Sequence, residues 1–214
     1  MFNLRRWRVG LIIGMIFIWQ NWAIAPCAAA TTPDTTPNYY EQGANHNPDG
    51  IGKFYLGREI AHVMGHQGAG WLERPSREPE EQPQRLIEAL NLRSTDVVAD
   101  IGAGTGYFSF RIAPLVPQGK VLAVDIQPEM IEILQYLKQE KQLTNVEPIL
   151  GAVDNPHLPP NRVDLAILVD AYHEFEYPRE MMLGLAQALK PQGRVVLVEY
   201  RAENPFVLIK PLHK

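Results

Sequence analysis

Hydrophobic positions after residue 97 fall into short continuous runs, separated by longer segments of mixed character. Runs rich in Val, Ile and Leu are typical of strands that a parallel sheet buries on both faces. The segments between them have the spacing of amphipathic helices. The pattern predicts strands at 97–100, 121–125, 146–150, 163–169 and 195–199, and helices at 106–113, 128–141 and 179–189. We therefore expect an α/β fold, in which helices cover both faces of a mostly parallel sheet.

The residues before this region have a weaker pattern. An amphipathic helix is predicted over 54–66, and a second helix over 83–90, where a proline occupies the first helical position. Residues 31–48 are rich in Thr, Pro and Asn and lack periodicity, so they are predicted to be a linker. We expect residues 49–81 to form a cap segment and residues 82–214 to form the main domain.

The first thirty residues have the order of a secretory signal. Arg5, Arg6 and Arg8 precede an apolar run that begins at Val9, and small residues end the segment at Ala30. These are the three parts of such a signal, and cleavage is expected after Ala30. Alternatively, the apolar run stays as a membrane anchor, although its length is near the minimum for spanning a bilayer. Either interpretation exports the rest of the chain to the periplasm or the exterior, because the arginines stay inside.

Charge and cysteine content narrow the set of partners. The chain has a formal net charge of −4, and its first thirty residues contain arginines but no acid, so the remainder is more acidic still. A phosphate backbone binds Lys- and Arg-rich surfaces, because these release its counterions, so an acidic protein binds it poorly. We expect no nucleic-acid partner. The single cysteine, Cys27, excludes an intramolecular disulfide and a cysteine-based metal site.

The first predicted strand leads into a glycine-rich turn, DIGAGTGY, which precedes a helix. Glycines at such a turn let the main chain bend tightly and approach a ligand closely. A dinucleotide fingerprint requires a glycine three positions after Gly104, where this chain has Tyr107, so the spacing argues against an NAD-linked oxidoreductase. Asp100 precedes the glycines. The next strand ends in Asp125, where a carboxylate can accept both hydroxyls of a ribose.

Four segments in order resemble the motifs of class I S-adenosylmethionine-dependent methyltransferases. They are DIGAGTGYFS, VLAVDIQPEM, VDLAILVDAYHEF and ALKPQGRVVLVEY, and the resemblance extends from about Gln82 to Tyr200. It implies a three-layer Rossmann-like sandwich, S-adenosylmethionine as the cofactor, and transfer of a methyl group to a small-molecule acceptor.

The resemblance also implies contacts to the cofactor. Asp100 would lie near the amino group of the methionine moiety, Asp125 would hold the ribose, and Ile126 would pack on the adenine. Asp154 is assigned to the adenine amino group, although the family often places this acid where the chain has Ala152. The expected cofactor-binding residues are Asp100, Gly102, Ala103, Gly104, Gly106, Asp125, Ile126, Val153 and Asp154.

Candidate catalytic residues follow the fourth predicted strand, in the sequence DAYHEF. In the resembling family, residues at this point usually face the methyl group. His173 is a candidate base for an oxygen or nitrogen acceptor, with Asp170 or Glu174 to orient it. A structural role, in which His173 and Glu174 cap the loop, is equally open. Family members often keep a substrate cap before the domain, and the candidates here are Arg58, His62, His66, Trp71, Glu73 and Arg74.

Two histidines form a candidate metal-binding pair. His62 and His66 have the i, i+4 spacing that metal ligands on a helix adopt. No third ligand accompanies them at a convincing spacing, so no metal site is expected.

The family's sheet normally ends with a helix and an antiparallel hairpin after the fifth strand. Only residues 201–214 follow Tyr200, so the hairpin is expected to be missing and the sheet to have an exposed edge. Two functions remain: a methyltransferase acting on a small molecule, or a catalytically silent cofactor-binding module or truncated inactive relative. An open cavity that joins the DAYHEF cluster to the glycine loop would favour the enzyme.

Overall fold

Two β-sheets organise the part of the chain that the computed structural model describes, residues 38–204 and 207–214. The strands are β1 (Tyr40–Gln42), β2 (Gly50–Tyr55), β3 (Arg58–Ala61), β4 (Val97–Ile101), β5 (Lys120–Asp125), β6 (Val146–Leu150), β7 (Val163–Val169) and β8 (Leu189–Val198). The α-helices are α1 (Ala69–Leu72), α2 (Arg77–Glu81), α3 (Pro83–Ala89), α4 (Ser109–Ile112), α5 (Pro128–Glu140) and α6 (Pro178–Ala188). Short 3₁₀ turns occupy His66–Gly68, Ala113–Leu115, Tyr172–Glu174 and Pro211–His213.

The larger sheet contains β4 to β8, all parallel, in the order β6-β5-β4-β7-β8. Alternate residues of the central strand β4 face opposite layers. Val98 packs in a core formed with α3, α4 and α5, whereas Ala99 and Ile101 pack in a second core formed with α6. Both faces are therefore covered, as the continuous apolar runs require. The predicted three-layer α/β fold is confirmed.

The predicted strands and helices of this domain are all present, although the strand predicted at 195–199 is longer and begins at Leu189. The third and fourth predicted strands have the same bounds as β6 and β7. The helix expected at 106–113 begins later, at Ser109, because Gly106 lies in a left-handed turn with φ +85°. Within the described residues β8 is an edge strand of the larger sheet.

The helix predicted over 54–66 is wrong. Residues 54–61 belong to the hairpin of β2 and β3, which turns at Leu56 and Gly57 with φ values of +51° and +80°. Positive φ at both turn residues gives the twist that joins two antiparallel strands tightly. The apolar spacing resembled a helix stripe, but Gly57 in its middle is a residue that disfavours helices.

The predicted linker contains one strand that the sequence did not indicate, because β1 at Tyr40–Gln42 pairs with β2 in antiparallel register. The Tyr40 ring contacts the rings of Tyr55 and Tyr177, which ties this strand to its neighbours. Residues 31–37, together with the predicted signal or anchor at 1–30, lie outside the described residues. In the described ranges, no helix has the length and apolar character needed to cross a membrane.

Candidate active site

A cavity of about 530 Å³ opens at the carboxyl ends of β4, β5 and β7. The chain leaves β4 towards β5 on one side and later returns to pair β7 on the other, so the strand order reverses here. Open parallel sheets bind ligands at such a reversal, where the loops after neighbouring strands separate. The cavity is therefore where both the cofactor loop and the candidate catalytic cluster should meet.

The loop after β4 forms one wall of this cavity through Gly102, Ala103 and Gly104. Gly104 has a left-handed φ of +55°, and a Cβ at this position would lie 2.7 Å from Leu72 Cδ1. Glycine thus permits both the turn and the close approach of the cap segment.

Gly106 differs from the other predicted glycines, because it does not line the cavity. A Cβ on Gly106 would meet Phe110 and Leu134 within 2.8 Å. Its role is to let the loop pack against the start of α4 and against α5, and its assignment as a cofactor contact is corrected accordingly.

Asp125 ends β5 and reaches across to the glycine loop. The Gly104 N–H donates a hydrogen bond to Oδ2, and the Gln127 N–H donates to Oδ1, each at 2.9 Å. Burial raises the pKa of Asp125, although these main-chain hydrogen bonds oppose the shift. Each carboxylate oxygen has a second lone pair. Asp125 lines the cavity with Ile126 beside it, so a ribose that packs its base on an apolar side chain fits here.

Asp100 is buried near the end of β4 and also lines the cavity. Ser109 Oγ donates a hydrogen bond to its Oδ2 at 2.6 Å. Burial raises the pKa of Asp100 to about 6, while the Ser109 hydrogen bond and the charge of Arg77 oppose the shift. Asp100 therefore keeps a negative charge at neutral pH in a largely dry environment.

Sequence reasoning missed Arg77, which lies on α2, is 3% exposed and lines the cavity. Its Nε donates to Glu81 Oε2 at 2.7 Å, its Nη1 donates to the Leu72 carbonyl at 2.9 Å, and its guanidinium stacks 4.1 Å from the Tyr107 ring centre. The surrounding sequence, REPEE, has the composition of a solvated helix, so no pattern signalled burial. Arg77 and Asp100 together give one wall a positive and a negative group.

The loop after β6 contributes Ala152 and Val153 to the cavity. Asp154 is exposed and lies outside the cavity lining, because the Ala152–Asn155 bridge closes a tight turn at this point. The assignment of Asp154 to the adenine amino group is therefore corrected, and Ala152 and Val153 supply apolar surface instead.

The cluster predicted after β7 lines the same cavity through Asp170, His173 and Glu174. His173 Nδ1 lies 2.7 Å from Glu199 Oε2, and its Nε2 lies 3.1 Å from His213 Nδ1. Glu174 Oε1 lies 3.7 Å from His173 Nε2 and 3.6 Å from His213 Nδ1. Glu199, and not Asp170 or Glu174, is thus the carboxylate that orients His173.

Burial and charge shift the pKa of several members of this cluster. Burial raises the pKa of Asp170 to about 7, and the carboxylate of Glu199 adds to the shift while His173 opposes it. Burial by itself would lower the pKa of His173, but Glu174 and Glu199 raise it to about 9. Burial and the neighbouring charge of His173 lower the pKa of His213. Asp170 Oδ1 is buried and accepts no hydrogen bond from the described residues.

The predicted cap segment contacts the glycine loop, but only part of it reaches the cavity. His62 and Trp71 line the cavity, and Thr105 Oγ1 donates a hydrogen bond to Glu73 at 2.5 Å. The other candidates make contacts outside the cavity. Arg74 pairs with Glu80 and Glu81, and His66 lies near Glu129. Arg58 donates hydrogen bonds to the main-chain oxygens of Leu212 and Lys214.

Comparison with known proteins assigns the family. The chain matches the family model of the methyltransferase domain over residues 92–213. This match covers more than half of the chain, so the chain belongs to this methyltransferase family.

Individual relatives agree with the assignment. The chain is 31% identical over 123 residues to a Bacillus subtilis protein named uncharacterized methyltransferase YcgJ, covering 58% of this chain and 48% of that one. It is 26% identical over 126 residues to the ubiquinone/menaquinone biosynthesis C-methyltransferase UbiE of Pseudomonas paraeruginosa, covering 58% and 49%. The chain thus spans about half the length of these relatives.

A solved structure shows the same fold. The S-adenosylmethionine-dependent methyltransferase from Aquifex aeolicus superimposes with a TM-score of 0.67 at 24% identity, covering 71% of this chain and 81% of that one. The predicted Rossmann-like fold and the predicted membership of a methyltransferase family are therefore confirmed.

Proposed function

We propose that this protein transfers a methyl group from S-adenosylmethionine to a small-molecule acceptor. The observation that carries the proposal is that one cavity is lined by the glycine loop, by Asp125 and by the Asp170–Glu174 cluster together. A module that only bound the cofactor would not need a buried polar cluster at the opposite end of the cofactor cavity. The geometry therefore favours the enzyme over the silent module.

The cavity residues fit the cofactor chemically. Asp125 accepts the ribose hydroxyls, and Ile126 and Val153 give the adenine apolar surface. Asp100 meets the α-amino group and Arg77 meets the α-carboxylate, because these two side chains place opposite charges on the wall beside the glycine loop. When bound, S-adenosylmethionine supplies a methyl group on a positively charged sulfur.

The chain's own task is to hold the acceptor in line with that methyl group and to exclude water. Asp170 lines the cavity, and its buried Oδ1 accepts no hydrogen bond from the described residues, so we assign Asp170 to accept the proton of an acceptor hydroxyl or amine. Glu174 faces the same space, and His173, fixed by Glu199, orients the cluster. Leu72 of the cap segment lies against Gly104 of the glycine loop, and Trp71 lines the cavity.

The size and charge of the cavity define the class of acceptor. A volume of about 530 Å³ has to contain the cofactor as well, which leaves room for a small acceptor only. The acceptor end carries three carboxylates from Asp170, Glu174 and Glu199, and the chain has a net charge of −4, both unfavourable for a phosphate backbone. A relative named as a quinone-biosynthesis C-methyltransferase supports a small acceptor.

The place of action in this proposal is outside the cytoplasm. The basic, apolar and small-residue parts of residues 1–30 support export, either with cleavage after Ala30 or with the apolar run kept as an anchor.

Calorimetric titration of S-adenosylmethionine and S-adenosylhomocysteine tests the cofactor site. We expect wild type to bind with a dissociation constant of about micromolar, roughly −8 kcal/mol, and Asp125→Ala to lose this binding. The matched control is Asp154→Ala, which removes an exposed carboxylate outside the cavity and should bind as wild type does. Equal binding by all three proteins would contradict the site.

Formation of S-adenosylhomocysteine tests turnover. The cofactor is incubated with protein and the small-molecule fraction of a cell extract, and Asp170→Asn is compared with Asp154→Asn. We expect product with wild type and with Asp154→Asn, and little with Asp170→Asn, although Asp170→Asn still binds the cofactor. Cofactor binding by wild type without any product formation would instead support the silent module.

A further inference from the structure

Three potential ligand atoms converge at the acceptor end of the cavity. His173 Nε2, His213 Nδ1 and Glu174 Oε1 form a triangle with edges of 3.1, 3.6 and 3.7 Å. Ligands placed about 2.1 Å from one tetrahedral ion are separated from each other by about 3.4 Å, so a single ion fits between these atoms. We propose that His173, Glu174 and His213 bind one divalent transition-metal ion, with Zn²⁺ as the best match to two imidazoles and a carboxylate.

A second, independent observation is the environment of the other His173 nitrogen. Nδ1 lies 2.7 Å from Glu199 Oε2, and Glu199 Oε1 accepts the main-chain N–H of Tyr172 at 2.9 Å. Histidines that bind metals almost always donate their second ring N–H to a carboxylate or carbonyl, which fixes the ring and directs the remaining lone pair at the ion. Glu199 supplies this support here, and with the ion bound, Nε2 coordinates in place of a proton.

Charge balance favours a cation at the same point. Glu174 and Glu199 lie against His173, and Asp170 Oδ1 lies 3.9 Å from its Nδ1 without accepting a hydrogen bond from the described residues. His173 is 4% exposed, so these charges are only weakly screened by water. Without a metal, the protonated ring of His173 compensates these carboxylates, and a bound ion would take over that positive charge when Nε2 gives up its proton.

The fold holds the three ligands on short, fixed turns. His173 and Glu174 lie in the 3₁₀ turn after β7, and His213 lies in the 3₁₀ turn Pro211–His213. Arg58 of β3 donates to the main-chain oxygens of Leu212 and Lys214 at 3.0 and 2.7 Å, on either side of His213. All three ligands also line the cavity, so an ion would keep a coordination position open towards it. Open positions are typical of catalytic metal sites, and such an ion would polarise an oxygen or nitrogen of the acceptor.

No sequence motif indicates this site, because His213 is far from His173 in the chain. The proposal departs from the expectation that the chain lacks a metal site. It does not depend on the proposed methyl transfer, because metal binding is measured without cofactor or acceptor.

Calorimetric titration of Zn²⁺ into the untagged full-length chain tests the proposal. Every protein carries Cys27→Ser, which removes the single thiol of the chain. We expect one Zn²⁺ per chain in this background. Glu199→Gln should weaken the affinity by about 10–100-fold, and His213→Gln should weaken it further. The matched control is His66→Gln, which removes a histidine that also lies near a carboxylate, 3.8 Å from Glu129, and should leave the affinity unchanged.

The visible absorption of bound Co²⁺ distinguishes loss of the metal site from loss of the fold. Bound to two imidazoles and a carboxylate, Co²⁺ should show the visible absorption of a four- or five-coordinate ion. His213→Gln should lose this absorption while its circular dichroism and melting temperature stay close to those of His66→Gln. Failure of the parent protein to bind Zn²⁺ would overturn the proposal. So would stoichiometric binding that neither His213→Gln nor Glu199→Gln weakens.

Discussion

Two carboxylates end neighbouring strands of the sheet, and their surroundings give them different sensitivity to pH. Asp125 accepts main-chain hydrogen bonds on both oxygens, whereas Asp100 is held by the Ser109 hydroxyl at the bottom of a dry pocket. Burial raises the pKa of Asp100 to about 6. Asp100 is therefore one group through which pH acts on the cofactor site near neutrality.

The affinity for S-adenosylmethionine should fall as the pH is lowered through about 6. The cationic amino group of the ligand needs the ionised form of Asp100, and the ionised fraction decreases about tenfold between pH 7 and pH 5 for a pKa of 6. Arg77 and Asp125 also face Asp100, and neither alters this direction. Calorimetry at a series of pH values should show a loss of about tenfold over that interval.

Asp100→Asn serves as the control for this pH dependence. The variant should bind more weakly than wild type at pH 7 and show a flatter profile, because its amide does not titrate. An equally steep profile in the variant would show that another group, such as Asp170, causes the change.

At the scale of elements, the glycine loop approaches the cap segment closely where Gly104 faces Leu72. We expect Gly104→Ala to lower the free energy of unfolding by about 1–2 kcal/mol, because its φ of +55° strains any L-residue. The new Cβ would also lie 2.7 Å from Leu72 Cδ1 and push the cap away. Chemical denaturation measures the first effect, and calorimetry should show weaker cofactor binding.

Gly70→Ala is the matched control for Gly104→Ala. Gly70 lies on α1, and a Cβ there would meet no atom within 4 Å. Alanine favours helices over glycine by about 1 kcal/mol, so this variant should be as stable as wild type or slightly more stable, with unchanged cofactor binding. If Gly104→Ala and Gly70→Ala had the same stability and the same cofactor affinity, the close approach of Leu72 would not explain why residue 104 is a glycine.

Whether an element could be predicted from the sequence depended on the interactions that stabilise it. Strands β4 to β8 were predictable because burial on both faces leaves a continuous apolar run. The β2–β3 hairpin was not, since it turns at Leu56 and Gly57, which is not a common turn pair. The apolar residues beyond this turn had the spacing of a helix stripe.

Residues of the candidate site also divide into those that local patterns predict and those that depend on distant contacts. Gly104 and Asp125 follow predicted strands, so their meeting at one sheet edge could be predicted from local patterns. Arg77 and His213 could not, because their places depend on contacts between distant segments. Arg77 stacks on Tyr107, and His213 is held through Arg58 of the hairpin.

At the scale of the whole molecule, the N-terminal hairpin and the C-terminal segment complete the cavity together. Arg58 donates to the main chain at Leu212 and Lys214, and Lys210 pairs with Asp49 at 2.5 Å. The methyltransferase domain matched over residues 92–213 therefore has part of its cavity wall supplied by residues before it, such as His62 and Trp71. A protein that lacks the residues before β4 should lose this part of the cavity wall. It should also lose the hydrogen bonds from Arg58 that hold the main chain on either side of His213.

The first thirty residues should direct the protein out of the cytoplasm. A fusion of the full chain to alkaline phosphatase should be active, because this reporter requires disulfides that form outside the cytoplasm. Changing Arg5, Arg6 and Arg8 to Glu should reduce the activity, since it removes the basic start that keeps this end inside. A soluble product lacking residues 1–30 by mass spectrometry would identify a cleaved signal, and a full-length product in the membrane fraction would identify an anchor. An inactive fusion recovered at full length from the cytosol would contradict export and place methyl transfer inside the cell.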